Sequence, residues 1–121
     1  MQNINAKMKN LIILCFILFI LSQSAYAHSP LSIKAEYDSV TKTLSVIVYH
    51  PVRSPNKHYI KVIEVKKGGA IVAKKEFKIQ ITRAAQKCDF VTDDIRPGDT
   101  LTVEAYCNIS GSLEREIRLN D

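Results

Sequence analysis

Three histidines and a cysteine are the residues of this chain best suited to chemistry. His50 opens the run His50-Pro51-Val52-Arg53-Ser54-Pro55-Asn56-Lys57-His58-Tyr59-Ile60. Cys107 sits in Ala105-Tyr106-Cys107-Asn108-Ile109-Ser110-Gly111, and His28 completes the histidine count. Imidazole nitrogens with one thiolate make a mixed nitrogen and sulfur donor set, which suits iron, copper or zinc better than magnesium or calcium. Proline after His50 removes a backbone donor and turns the chain out of a ladder. Each of the four therefore falls at a strand boundary or turn, where a rigid frame presents functional groups.

The elements that must position them lie beyond residue 27. Lys7 and Lys9 give a positive start, Leu11 to Leu21 is an apolar run that takes in Cys15, and Ala25-Tyr26-Ala27 is a small-x-small cleavage site. That pattern predicts a signal peptide over 1–27, an exported, periplasmic protein, and no membrane attachment once it is cut. The apolar run is also short of the roughly 20 residues that span a bilayer. Residues 28–121 then form one small domain with a modest core. Of 17 basic residues, Lys7 and Lys9 leave with the leader, so 15 face 12 acidic ones. A weak, scattered excess of this kind predicts a mixed-sign solvated surface and no nucleic-acid partner.

Alternation with period two dominates the exported part, and no segment carries a helical stripe. Strands are predicted over Leu31–Tyr37, Thr43–Tyr49, His58–Lys66, Ile71–Ile81, Lys87–Thr92, Thr100–Cys107 and Leu113–Leu119. In the fourth, Ile71, Ala73, Phe77, Ile79 and Ile81 are expected on one inner face. Gly68-Gly69 supplies the positive φ of a hairpin turn, and Arg96-Pro97-Gly98-Asp99 is a turn of Pro-Gly type. About seven short strands predict an all-β, immunoglobulin-like antiparallel sandwich. The Trp of antibody domains is missing, since the chain has none.

His-Pro, then His-Tyr-Ile and Ile-Glu-Val, then Tyr-Cys-Asn-Ile-x-Gly resemble the iron-binding domain of the superoxide reductases, the neelaredoxin and desulfoferrodoxin family. The resemblance runs over nearly all of residues 28–121. It implies a seven-stranded immunoglobulin-like sandwich and a mononuclear iron held by four histidine nitrogens in a plane and one axial thiolate. It also implies reduction of superoxide to peroxide at the open sixth position, with electrons from an external donor. By motif, His28 matches the family's first histidine, likewise followed by x-Pro. His50 matches the His-Pro histidine, His58 the one opening His-Tyr-Ile after a longer loop, and Cys107 the axial thiolate. Two departures stand out: Ser110 occupies the place of the family's remaining histidine, and Ala25-Tyr26-Ala27 replaces the glutamate and lysine that precede its first one.

Several readings stay open on the residues themselves. Two cysteines in an exported domain invite a Cys88–Cys107 disulfide, the rival to a ligand role for Cys107. Three histidines and one cysteine also make a chemically reasonable closed zinc site. If the leader is cut after Ala27, the α-amine of His28 becomes a further nitrogen donor, an arrangement that suits copper. A metal-binding module without turnover and a metal-free binding sandwich complete the alternatives.

Overall fold

The computed structural model describes residues 2–21 and 28–120. An N-terminal helix, α1 (Gln2–Leu21), precedes seven strands: β1 (Ser32–Asp38), β2 (Thr43–Tyr49), β3 (Ile60–Lys67), β4 (Ala70–Glu76), β5 (Ala85–Val91), β6 (Thr100–Cys107) and β7 (Ser112–Arg118). They build two antiparallel sheets, ordered β1-β2-β5 and β4-β3-β6-β7. The expected all-β sandwich is present. Residues 22–27, which hold the expected cleavage site, lie outside the described residues. The helix leaves Leu11, Ile12, Phe16 and Leu18 exposed, and no described helix is long and apolar enough to cross a membrane.

The core forms because alternate residues of facing strands point into one layer. Leu44, Val46 and Val48 of β2 meet Ile63 and Val65 of β3 and Leu101, Val103 and Ala105 of β6 between the sheets, all of them at most 1% exposed. Each of the larger side chains contributes about 1.5–3 kcal/mol by leaving water. The β3–β4 hairpin turns at Gly68 and Gly69, whose φ values of 58° and 81° lie in the left-handed region that glycine tolerates. The Thr43–Tyr49 and Thr100–Cys107 strands fall where the alternation placed them.

Among the boundaries that differ from the sequence reading, two shape the site. β3 begins at Ile60 rather than His58, because Pro55 to Lys57 fold into a turn closed by the bond from the His58 N–H to Ser54 O (2.9 Å). A bulge follows at once: Ile60 pairs with Cys107, but Val62 pairs with Tyr106. The extra residue lets Ile60 and Ile63, three apart, both face the core. The fourth strand stops at Glu76 rather than Ile81. Ile71, Ile79 and Ile81, expected inside, are 53%, 57% and 62% exposed. The chain leaves the ladder at Phe77 because its next backbone partners lie elsewhere: the Gln80 N–H donates to Pro55 O at 3.0 Å.

Candidate metal centre

His50 continues the inward alternation of β2. Leu44, Val46 and Val48 face the core, and His50, one step beyond the strand, takes the next inward place with no exposure at all. The backbone is held there by bonds from the His50 N–H to Ala84 O (2.9 Å) and from the Val52 N–H to Arg83 O (2.8 Å). His58 approaches from the other sheet, two residues before β3. Asn108 clamps that segment to the end of β6. Its Oδ1 accepts the Tyr59 N–H at 2.8 Å, its Nδ2 donates to Lys57 O at 3.0 Å, and its N–H reaches Tyr59 O at 2.9 Å. His28 arrives just ahead of β1. There Ser29 lies so close to Gly111, at φ +85°, that a Cβ on the glycine would overlap the Ser29 side chain.

The three imidazoles converge between the sheets. Ring centroids stand 4.8 Å apart for His28 and His50, 5.2 Å for His28 and His58, and 4.7 Å for His50 and His58. One ring nitrogen from each lies within 4.8 Å of the others, and among the described residues no cysteine or carboxylate joins that group. Nitrogens about 2.1 Å from a common cation sit about 3.4 Å apart in a tetrahedron, so modest side-chain rotation closes the set.

The nitrogens are unevenly satisfied. His28 sets Nε2 2.8 Å from Pro51 O and Nδ1 3.0 Å from Ser29 O. A neutral imidazole carries one N–H, so only one of these contacts is a donation in that state. His50 places Nδ1 2.9 Å from the Gln80 side-chain oxygen and Nε2 3.3 Å from His28 O. His58 Nε2 is buried and has no hydrogen-bond partner. Burial, followed by the nearby His50 and His28 rings, holds the His58 pKa below its ordinary value. Each effect favours the neutral ring, whose lone pair can bind a cation. The donor set and the orphaned nitrogen fit a borderline transition metal.

The sequence-derived residues separate into two groups. His28, His50 and His58 are brought together. Cys107 is buried on the core face of β6 opposite Ile60, with its N–H on Gly111 O at 3.0 Å, but it stands outside the 4.8 Å histidine group. Ser110 is exposed in the loop that follows. Cys88 and Cys107 are both free thiols, so the disulfide reading is not realised in this structure. Cys88 lies on β5 in the opposite sheet, and burial pushes its pKa up to about 11, which makes it a poor thiolate donor.

Gln80 and Asn108 were not singled out from sequence. For Asn108 a signal existed, since it sits inside the Cys-Asn-Ile motif. For Gln80 there was none, because alternation through Ile79 and Ile81 placed it outside.

No protein-family model and no curated protein sequence matches the chain. Solved structures do. The superoxide reductase of Giardia intestinalis aligns over 78% of this chain and 100% of its own, at 20% identity and a TM-score of 0.53. A variant of the Archaeoglobus fulgidus superoxide reductase (neelaredoxin), in its reduced form, aligns over 79% and 94%, at 20% identity and a TM-score of 0.52. The superoxide reductase (neelaredoxin) of Ignicoccus hospitalis covers 77% and 80%, at 20% identity and a TM-score of 0.50. The chain has the superoxide reductase fold. At this level of identity the likeness establishes the sandwich, and the histidine cluster rests on the geometry of this chain alone.

Proposed function

We propose that this is an exported metalloprotein of superoxide reductase type, with iron held by His28, His50 and His58 and by the Cys107 thiolate. The single observation that carries the reading is the buried, unpartnered Nε2 of His58, a ring 4.7 and 5.2 Å from two further imidazoles. An unsatisfied buried nitrogen costs stability and persists where something else satisfies it. Held by these residues, a ferrous ion would supply the single electron that, with two protons, reduces superoxide to hydrogen peroxide. The chain's part is to keep three neutral imidazoles aimed at one point, to hold His58 through the Asn108 clamp, and to bring Cys107 to the same end of the core. Electrons come from an external donor. The Lys7–Lys9 start and exposed apolar helix support removal of the leader on export.

A second reading, a metal carrier of iron, copper or zinc without turnover, is favoured by one specific observation. Cys107 lies outside the histidine group and Ser110 is exposed, so the centre offers three close nitrogens rather than four with a thiolate. Element analysis of natively exported protein purified without oxygen, beside its His58→Ala variant, tests both. About one iron per chain, lost in the variant, with superoxide consumed and no oxygen released, supports the reductase. Bound metal without superoxide consumption selects the carrier. Equal trace metal in both proteins overturns the metal centre.

A further inference from the structure

We propose that Gln80 is a positioning residue that fixes His50 in its Nδ1–H tautomer and so presents the His50 Nε2 lone pair to His28 and His58. The amide orientation of Gln80 follows from its backbone partners. Its nitrogen donates to His50 O (2.7 Å) and Thr82 O (2.9 Å), and its oxygen accepts the Ile60 N–H (3.3 Å). Turning the amide over would set its NH₂ against the Ile60 N–H and its oxygen against two carbonyls. In a side chain only 2% exposed, that leaves buried groups with no water to satisfy them. The oxygen therefore faces His50, where it stands 2.9 Å from Nδ1. An amide oxygen only accepts, so Nδ1 carries the proton, and in the neutral ring Nε2 is bare. The 3.3 Å approach of Nε2 to His28 O is then a contact between two acceptors and not a bond.

A second glutamine holds the first in place. Gln86, also 2% exposed, donates to Ile79 O at 2.9 Å and accepts the Ile81 N–H at 3.2 Å, bonding the backbone on both sides of residue 80. With the Gln80 N–H on Pro55 O, the segment is pinned so that Ile79 and Ile81 point to solvent and Gln80 points inward. The exposed isoleucines are thus the outward counterpart of an inward amide. A neutral amide orients the ring without adding negative charge beside it, whereas a carboxylate partner would also attract a second proton to the imidazole. Outer partners of this kind typically change metal affinity by about 10–100-fold when removed.

The affinity consequence rests on the metal reading above, but the tautomer does not, and the test separates the two. In the metal-free, full-length chain labelled with ¹⁵N-histidine, long-range ¹H–¹⁵N correlations should show His50 protonated at Nδ1 and bare at Nε2. His50 found as the Nε2–H form, or averaging between forms, overturns the proposal whatever the metal result. With zinc ion as probe, Gln80→Met should bind about 10–100-fold more weakly than the parent and lose the fixed Nδ1–H signature. An unchanged tautomer in Gln80→Met overturns the proposal. If the parent binds no zinc or iron, the metal centre fails while the parent spectrum still decides the role of Gln80. That spectrum also decides it if Gln80→Met does not fold.

Discussion

Two polar clusters in this sandwich differ in one respect that separates structure from function. On the outer face of the four-stranded sheet, Glu64, Lys66, Glu104, Tyr106 and Ser112 form a closed network. The Tyr106 hydroxyl donates to Glu104 at 2.5 Å, Lys66 reaches the same carboxylate at 3.0 Å, and Ser112 donates to its other oxygen at 3.5 Å. The Tyr106 hydroxyl, and then Lys66, hold the Glu104 carboxyl below its ordinary range, while the bond to Glu104, aided by burial, pushes Tyr106 well up. At the end of the sandwich the histidines show the reverse: His58 Nε2 has no partner, and both His28 nitrogens crowd carbonyl oxygens. A network whose members satisfy one another needs nothing more. A cluster that leaves one buried nitrogen unpaired has a place for a guest.

That contrast is broken most decisively at His58. His58→Leu should weaken zinc or iron binding by at least about 100-fold, the upper part of the range for losing a ligand's own partners. It should leave the metal-free fold as stable as before or more so, since an unpaired buried nitrogen costs about 1–3 kcal/mol. Metal titration and urea melts of both proteins check this, and a large loss of apo stability would put the histidines in the structural class. The next effect is expected at Gly111. Gly111→Ala, at a positive φ and against Ser29, should cost about 1–3 kcal/mol and lower metal affinity severalfold by displacing His28. Unaltered melting and binding would show that the Ser29 contact does not position His28.

The smallest effect belongs to the closed network. Glu104→Gln should leave metal binding unchanged and cost about 1–2 kcal/mol near neutral pH. Because the folded carboxyl titrates below its ordinary value of 4.5, its contribution is present above that pH and disappears as pH falls through the folded value. Acid melts should therefore converge for parent and variant below that range. Persistence of the difference in strong acid would contradict the charge-based account.

How much was legible beforehand follows from what each residue answers to. Thr43–Tyr49 and Thr100–Cys107 were readable because alternation and β-branching act locally. His50 was readable as a strand-end residue, and its burial follows from extending the same alternation by one step. Ile79 and Ile81 were placed on the wrong side because their position is decided by single bonds to Gln86, five and seven residues on, and by the Gln80 bond to Pro55 far back in the chain, none of which leaves a period. Gln80 was invisible for the same reason. The start of β3 moved from His58 to Ile60 because the turn at Pro55–Lys57 ends only there. The meeting of three histidines was suggested by motif and not by spacing, since strand alternation cannot tell which strand ends face each other.

The placement of the histidines has a mechanical consequence. His28 and His50 belong to chain flanking the three-stranded sheet, and His58 leads into the four-stranded one. A cation held among them would act as a removable cross-link, tying the segment that leads into β1 to the opposite layer. Closing a loop of about 30 residues in this way removes unfolded-state freedom worth about 3–4 kcal/mol in the chain-entropy treatment used for disulfides. A chelator would then act as a reductant does on a disulfide-bonded domain. Its signature would be faster opening of β1 and its leading segment, with the β3–β6 ladder the last to exchange its amide protons.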